Sequence, residues 1–366
     1  MTSQPDSRTD LRRQHTNIAL SVIIPARNAA STIAQQLDAL LVQEWHRPFE
    51  VLVVDNASTD ATREVVQRYL APHSIVRLIE ASESTGVAYC RNAGIAAARG
   101  AAIAICDADD VVAPGWVRAI GDALEDHRLV SGRLDVHELN PDWLIASRGG
   151  VRRAHFRFGG LFAFANGGNM GVRAEIVEEC GGFDQRFVPA EDIEWSFRLW
   201  QSGIRVHYVD DALIHYRLRE SLSGMWRQAY ASGRIRLSLV KAVTSAGYQV
   251  EPDGEWRRWA WLFRNLPTLR SKAGRARWTV VAGGRAGRLA GRLASVVGRD
   301  LVRSGDLPAK ARVERARSED SHPGPGPVSI LLGENLAGSP SGAEPAPADH
   351  ADEADRQRTR TEPKPP

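Results

Sequence analysis

Residues 101–110 read Ala-Ala-Ile-Ala-Ile-Cys-Asp-Ala-Asp-Asp. The apolar half predicts a short buried strand, and two carboxylates, Asp107 and Asp109, follow at its end. Side chains alternate between the two faces of a strand, so residues two apart point the same way and could share one divalent cation. Hard cations with oxygen ligands commonly hold phosphate groups, so the first hypothesis is a diphosphate-bearing substrate. The alternative interpretation is a polar turn after a buried strand.

Three earlier apolar runs have the same character and alternate with helical patterns. They cover residues 21–25, 50–54 and 75–79, and the first helical pattern consists of Ile33, Leu37, Leu40 and Leu41. A βαβα series of this kind predicts an α/β fold with a mostly parallel, Rossmann-like sheet flanked by helices. Ligands of such sheets bind at the carboxyl ends of the strands. Pro25, Asp55 and the two aspartates end three of these strands, so we expect them to face one crevice.

The composition is that of a globular protein, with 366 residues, 43% of them hydrophobic and 25% charged. No run of about 18 uninterrupted apolar residues is present, and the polar N-terminus lacks the features of a signal peptide. Cys90, Cys106 and Cys180 form no Cys-x-x-Cys pair, which fits a reducing compartment and predicts a cytoplasmic protein. No Gly-x-Gly-x-x-Gly follows the first strand, which argues against a dinucleotide-binding oxidoreductase.

The net charge of +3 hides a basic segment in the last third of the chain. Residues 221–317 contain 20 Lys and Arg against 6 Asp and Glu, an excess of 14 positive charges. Helical spacing of basic and apolar side chains predicts a basic amphipathic helical extension over residues 241–304. Residues 305–366 are rich in Pro, Gly and Ala and predict a disordered tail, and residues 1–18 predict a flexible N-terminus.

One face of the predicted extension is strongly basic. At 100° per residue, five arginines fall within about 60° of one another. They are Arg285, Arg288, Arg292, Arg299 and Arg303, and Trp256, Trp259, Phe263 and Leu266 recur at helical spacing upstream. Basic amphipathic stretches that carry tryptophan are typical of membrane-surface segments. One hypothesis is therefore peripheral attachment to an anionic membrane surface, the inner face of the plasma membrane.

The alternative is that these helices pack on the preceding domain. Four glycines stand against an isolated amphipathic helix, since each costs a helix roughly 1 kcal/mol. They are Gly284, Gly287, Gly291 and Gly298. No recognition motif accompanies the positive charge, so we predict no nucleic-acid partner.

Seven short motifs follow one another along residues 19–240. They are Val22–Asn28, Val53–Asp60, Gly86–Gly94, Cys106–Asp110, Asn166–Gly171, Gly181–Phe187 and Ala190–Asp192. Their order and spacing resemble glycosyltransferase family 2, whose members have the GT-A fold. The resemblance implies one GT-A domain over residues 19–240 and does not cover the last third of the chain.

The resemblance implies a nucleotide diphosphate sugar as donor, a glycan or lipid-linked acceptor, and Mg²⁺ or Mn²⁺ as cofactor. It implies transfer of the sugar to an acceptor hydroxyl in the synthesis of cell-surface polysaccharide, glycolipid or a related glycan. The residues implied for donor binding are Pro25, Asn28, Asp55, Arg91 and Asp107; for the metal, Asp109 and His215; for the acceptor, Gly168 and Glu191; and for catalysis, Asp192.

Asp192 is the candidate general base, because direct displacement at the anomeric carbon needs one carboxylate opposite the leaving group, and this implies inversion. Arg91 either holds a diphosphate oxygen or forms a buried salt bridge. His215 either completes the metal shell, touches the diphosphate, or is structural. Basic and phenylalanine side chains interleave over residues 140–164, which predicts an acceptor cleft for an anionic acceptor or a solvated basic loop.

A different class of function fits the same motifs. A non-catalytic sugar-nucleotide-binding or membrane-scaffold protein could retain the fold. Such a protein has no need to keep both Asp109 and Asp192, and their presence favours the enzyme.

Overall fold

The computed structural model describes residues 17–148, 156–250 and 255–297. The strands are β1 (Leu20–Ala26), β2 (Phe49–Asp55), β3 (Val76–Glu80), β4 (Ala102–Cys106), β5 (Val111–Val112), β6 (Leu129–Asp135), β7 (Arg157–Phe158), β8 (Phe162–Ala163), β9 (Asn169–Arg173) and β10 (Val206–His215). The helices are α1 (Ile33–Leu41), α2 (Thr62–Leu70), α3 (Val87–Ala97), α4 (Trp116–Asp126), α5 (Asp142–Ser147), α6 (Ala174–Cys180), α7 (Glu191–Gln201), α8 (Leu222–Ser245), α9 (Glu255–Arg264) and α10 (Lys272–Val296). Short 3-10 turns cover Gln185–Phe187 and Leu266–Arg270.

The main sheet has the strand order β3-β2-β1-β4-β9-β6-β10-β5. The first four strands pair in parallel, as do β6 and β10. Strand β9 runs antiparallel between β4 and β6. The four strands predicted from the sequence are confirmed, and so are the α/β class and the mostly parallel sheet. Because β9 and β10 are contributed by residues that follow the predicted series, they extend the sheet beyond it.

Both faces of the sheet are covered by packed side chains. In β1, Val22 and Ile24 belong to one hydrophobic cluster, and Ile23 between them belongs to the other. All three are fully buried. This alternation is what a strand covered on both faces requires, and it explains why these strands are continuous apolar runs in the sequence.

The two long C-terminal helices, α8 and α10, pack closely along each other. A Cβ atom on Gly287 would collide with the carbonyl oxygen of Tyr230, and one on Gly291 would lie 2.7 Å from that of Arg234. The glycines therefore permit backbone-to-backbone contact between the helices, which offsets their low helix propensity. The predicted boundary between residues 240 and 241 falls inside α8, so the described extension continues from a helix that begins in the predicted GT-A domain.

Two of the three described arginines on the predicted basic face are buried in α10. Arg285 is 3% exposed and Arg288 is 8% exposed, whereas Arg292 is exposed. The prediction treated the helix as isolated, whereas α8 covers its glycine face and α9 covers Val281 and Ala282. Arg299 and Arg303 lie outside the described residues.

The other terminal predictions also fall largely outside the described residues. The described residues do not include positions 1–16, Gly298 or the predicted tail over 305–366. They also do not include residues 149–155 of the predicted acceptor segment. Among the described helices, none has both the length and the hydropathy that a bilayer span requires.

Substitution of two neighbouring glycines in α10 tests the close packing. Gly287→Ala places a methyl group against the backbone of Tyr230, so we expect it to lower the free energy of unfolding by about 1–3 kcal/mol. Gly284→Ala is the matched control, because its Cβ would meet nothing closer than 3.9 Å, and we expect it to stabilise the helix by about 0.5–1 kcal/mol. Denaturant unfolding of both variants measures the difference. Equal effects of the two substitutions would contradict the packing argument.

Candidate active site

Three carboxylates lie together directly after β4. One oxygen from each of Asp107, Asp109 and Asp110 lies within 4.8 Å of the others. Strand β4 ends at Cys106, so these residues occupy a turn in which the alternation of a strand no longer applies. If the strand continued, its alternating side chains would place only Asp107 and Asp109 on the same face. The turn adds Asp110 to the group.

This carboxylate cluster has the chemistry of a divalent cation site. Burial raises the pKa of Asp109 and of Asp110, and the negative charge of Asp107 raises both further. The Oδ1 atom of Asp110 accepts a hydrogen bond of 2.7 Å from the backbone N–H of Arg217, but its buried Oδ2 has no protein partner. A hard cation would relieve the repulsion between the carboxylates and provide a partner for that oxygen, so the residues fit Mg²⁺ or Mn²⁺.

His215 lies outside the carboxylate cluster. It is the last residue of β10 and is paired in parallel register with Asp135 at the end of β6. Neighbouring residues in register share a face of the sheet, and the His215 Nδ1 atom lies 3.2 Å from Asp135 Oδ2. His215 is also paired in register with Val111, directly after Asp110, so it lies beside the carboxylate cluster without belonging to it, and its role as a metal ligand stays a prediction. Tyr216, the next residue, lines the cleft.

The segment after β10 contacts the carboxylate cluster through two arginines that the sequence analysis did not select. Arg217 Nε donates to the backbone carbonyl of Asp109 at 2.9 Å. Arg219 Nη1 lies 3.5 Å from Asp109 Oδ2, and its side chain is more than half exposed. Arg217 thus holds the turn in place, while Arg219 is an exposed cation beside Asp109. Both arginines follow the predicted site residue His215 closely in the sequence, which was the available signal.

A buried guanidinium links the carboxylate cluster to the opposite wall. Arg91, on α3, lies 2.5 Å from Glu191 Oε1 through Nη1 and 3.2 Å from Asp107 Oδ1 through Nη2. The sequence predicts that Arg91 either holds a diphosphate oxygen or forms a buried salt bridge, and these contacts are buried salt bridges. Arg91 still lines the cleft, but two of its nitrogens are committed to carboxylates.

Asp192 is the second residue of α7 and is held by two backbone N–H groups. Its Oδ2 accepts from Gly167 at 2.9 Å and its Oδ1 from Ile193 at 2.8 Å. A Cβ on Gly167 would lie 2.5 Å from Arg91 Nη1, and one on Gly168 would lie 2.6 Å from Asp107 Oδ2. Glycine is required at both positions because the loop packs directly on the charged side chains.

The ends of β1 and β2 form the remaining wall. Asp55 is fully buried; Arg63 Nε donates to its Oδ2 at 2.6 Å, and its Oδ1 has no hydrogen-bond partner. Asn28 has a positive φ of 52° and accepts a hydrogen bond of 2.8 Å from the N–H of Thr59, which joins the two strand-end loops.

These groups surround one cleft with a volume of about 530 Å³. All of the predicted site residues except Asp55 and His215 line it; they are Pro25, Asn28, Arg91, Asp107, Asp109, Gly168, Glu191 and Asp192. The cleft lies at the carboxyl ends of β1 and β4, as expected for a parallel sheet. One side offers a cation site, and the other offers a buried carboxylate that could accept a proton.

Comparison with known sequences identifies the family. The profile of Glycosyl transferase family 2 matches residues 21–181, and that of Glycosyl transferase family group 2 matches residues 102–283. The chain belongs to glycosyltransferase family 2. Family 2 membership and the mostly parallel sheet confirm the predicted α/β fold of the GT-A type.

Three similar proteins show how much of the chain the similarity covers. Uncharacterized glycosyltransferase YibD of Escherichia coli K12 is 28% identical over 229 residues, which cover 57% of this chain and 64% of that protein. Chondroitin synthase of Pasteurella multocida is 26% identical over 239 residues, which cover 55% of this chain and 25% of that protein. The structure of mannosyltransferase PcManGT from Pyrobaculum calidifontis, in complex with GDP-Man and Mn²⁺, has a TM-score of 0.49 and 20% identity, with coverage of 80% and 81%. The chain spans less than two thirds of the length of these two curated relatives.

The adjacent acids of this family 2 site have perturbed pKa values. Burial raises the pKa of Glu191 to about 7; the charge of Arg91 opposes this shift and that of Asp192 adds to it. Burial also raises the pKa of Asp192, against the influence of Arg91 and of the two backbone N–H donors. Both shifts are typical of carboxylates placed for proton transfer.

Gly168→Ala tests the contact between the glycine loop and the cation site. The added methyl group must displace the Asp107 carboxylate from the carboxylate cluster, so we expect Mn²⁺ affinity to fall by about tenfold or more. Calorimetric titration of the protein with Mn²⁺ measures the affinity. Gly284→Ala, in the distant helix α10, controls for a general effect of the methyl group, and unchanged Mn²⁺ affinity in Gly168→Ala would refute the assignment.

Glu191→Gln tests the raised pKa of the buried glutamate. Because the folded pKa of about 7 exceeds the unfolded value of 4.5, the stability that protonation of Glu191 contributes is complete below pH 4.5 and is lost as the pH rises through 7. We therefore expect the stability of the native protein, relative to Glu191→Gln, to fall over this interval. Thermal unfolding across the pH range measures this difference, and Glu44→Gln, at an exposed position, is the control. A difference that grows with pH would show that the pKa is lowered instead.

Proposed function

We propose that this chain transfers a sugar from a nucleotide diphosphate sugar to an acceptor hydroxyl, with inversion at the anomeric carbon and with Mg²⁺ or Mn²⁺ as cofactor. One observation carries the proposal: Asp107 and Asp109 of the carboxylate cluster and the buried Asp192 line a single cleft, and Arg91 pairs with both Asp107 and Glu191, the neighbour of Asp192. Such a reaction needs a counter-charge for the leaving diphosphate and a base for the acceptor hydroxyl. The cleft has residues suited to both tasks.

The donor is assigned to the side of the cleft formed by β1, β2 and β4. Pro25 and Asn28 line the cleft on this side. The Oδ1 atom of Asp55 has no protein partner, but Asp55 is fully buried and does not line the cleft, so its contact with the donor stays a prediction. Asp109, with Asp107 and Asp110, would hold the cation, which neutralises charge on the departing diphosphate. Arg219 is close enough to Asp109 to contribute a second positive charge there.

We assign to Asp192 the role of general base. A carboxylate oxygen of Asp192 takes the proton of the acceptor hydroxyl as the acceptor oxygen bonds to the anomeric carbon. The bond between that carbon and the diphosphate oxygen breaks, and its electron pair leaves with the diphosphate. A single displacement inverts the configuration. The N–H groups of Gly167 and Ile193 fix the orientation of the carboxylate, which positions it for this step.

The acceptor is assigned to the side of the cleft near the glycine loop. Gly168 lines the cleft there and packs closely against Asp107. For Glu191 the sequence predicts either acceptor contact or a structural role, and its ion pair with Arg91 favours the structural role of positioning Asp192 and the carboxylate cluster. The relative named chondroitin synthase supports a glycan as acceptor, and a lipid-linked saccharide fits the same chemistry. The cytoplasmic location stays a prediction from the cysteine content.

Thermal unfolding of the protein with a panel of nucleoside diphosphates, each with and without Mn²⁺, tests the donor assignment. A ligand at about 100 times its dissociation constant adds about 2.7 kcal/mol to stability. We expect one nucleotide to stabilise the native protein in the presence of Mn²⁺, and we expect Asp109→Ala to lose this effect. No stabilisation by any nucleotide would count against the donor site and favour the membrane-scaffold alternative.

Asp192→Asn tests the base separately from donor binding. We expect this variant to keep the nucleotide-dependent stabilisation and to lose about 10²–10⁴-fold in the rate of nucleoside diphosphate release from the matching donor sugar. Asp122→Asn, at an exposed aspartate on α4, is the control for the loss of one carboxylate. A native rate in Asp192→Asn would exclude Asp192 as the base and leave the donor site standing.

A further inference from the structure

Large apolar side chains are exposed on the C-terminal helices of the described structure. They form two groups, which together we name the α9–α10 surface. The groups are Trp259, Phe263 and Leu266, on α9 and the turn after it, and Leu289, Leu293, Val296 and Val297, at the end of α10. Phe263 is 71% exposed and Val296 is 86% exposed. A concentration of this kind on one part of a protein marks an interaction site.

Helical spacing gathers these side chains into faces. Trp259 and Phe263 are four residues apart on α9, so they lie on the same side of that helix. At 100° per residue, the four exposed residues of α10 fall within about 100°. Trp278 and Ala282 occupy the same sector two turns earlier, where α9 covers them through Leu262. The apolar face of α10 therefore continues past the point at which its helical cover ends.

The charge around the α9–α10 surface has one sign. Residues 256–299 contain eleven Arg and Lys and no Asp or Glu. Four of these cations lie exposed beside the α9 group, at Arg264, Arg270, Lys272 and Arg275. Arg285 and Arg288 are buried and are not part of it. The surface is thus apolar at its centre and cationic around the α9 side.

We propose that the α9–α10 surface binds the headgroup region of an anionic lipid bilayer. Exposed tryptophan, phenylalanine and leucine insert at the level of the headgroups, and adjacent Arg and Lys side chains are attracted to anionic lipids. A second copy of this chain is a poor partner, because two surfaces with the same positive charge repel each other. The contact uses Trp259, Phe263 and Leu266, as the membrane hypothesis from the sequence expects, but it does not use Arg285 and Arg288 of the predicted basic face, because both are buried.

Helix α8 connects the α9–α10 surface to the cleft. Gln228 of α8 lines the cleft, and α10 packs on α8 through Gly287 and Gly291. Binding to a bilayer would therefore bring the cleft towards the lipid surface. Delivery of a lipid-linked acceptor to the cleft is a consequence that rests on the proposed function, whereas the binding itself does not.

Flotation of the full-length protein with lipid vesicles tests this inference. We expect the protein to float with vesicles of phosphatidylcholine and phosphatidylglycerol and to remain unbound with phosphatidylcholine alone, and we expect binding to weaken as salt is raised. We expect Phe263→Glu and Leu293→Glu each to reduce the partitioning of the protein onto the anionic vesicles by about tenfold or more, because each removes an inserted apolar side chain.

Val42→Glu is the matched control. Val42 follows α1, is 74% exposed, and undergoes the same chemical change outside the α9–α10 surface. We expect it to float like the native protein. Phe263→Ala, which adds no charge, should lose part of the binding lost in Phe263→Glu, and thermal unfolding verifies that every variant is folded.

Three results would overturn the inference. The first is that the native protein does not float with anionic vesicles. The second is that Phe263→Glu and Leu293→Glu float as well as the native protein does. The third is a concentration-dependent dimer in sedimentation that Phe263→Glu abolishes. Stabilisation by nucleotides is measured without lipid, so failure of the bilayer proposal and failure of the donor assignment are distinguished by different experiments.

Discussion

The salt bridges of Arg91 hold the two walls of the cleft in place. This one buried guanidinium contacts Asp107 on the β4 side and Glu191 on the α7 side. Because an unpaired charge inside a protein is costly, Arg91 needs at least one of these acids, and loss of both would leave its charge uncompensated. The tight approach of the glycine loop has the same origin, since any side chain at Gly167 would occupy the space of the guanidinium. The position of Asp192, which is held by the N–H of Gly167, therefore depends on Arg91 as well.

The cleft concentrates groups that lack sufficient partners within the protein. Three carboxylates lie side by side, and Asp55 Oδ1 and Asp110 Oδ2 are buried without a hydrogen bond. These arrangements are unfavourable for folding alone, because burial and like charge both disfavour the ionised carboxylates. A cation at the carboxylate cluster would relieve the repulsion there and give Asp110 Oδ2 a partner. The proposed metal site therefore rests on the features that weaken the fold at this edge of the sheet.

The C-terminal helices follow a different physical rule from the sheet. Their contact depends on backbone approach at Gly287 and Gly291, with little side-chain volume between α8 and α10. This packing uses the glycine face of α10, so the larger side chains Leu289 and Leu293 remain on the outside. A helix that packs through its smallest residues has its apolar face available for another partner. The close helix contact and the exposed surface are therefore two results of one residue pattern.

The four strands of the first half, the α/β class, the family and most of the cleft residues could be predicted from the amino-acid sequence, because buried parallel strands are local apolar runs and the motifs lie at their ends. Which side chains meet could not be predicted in this way. Asp110 joins the other two aspartates because the chain turns after Cys106, and His215 faces Asp135 because β6 and β10 are aligned in parallel register. Arg285 and Arg288 are buried because neighbouring helices cover a face that an isolated helix would expose. The apolar pattern of a segment is local, whereas the partners of a charged side chain depend on turns and strand registers set by residues far away in the sequence.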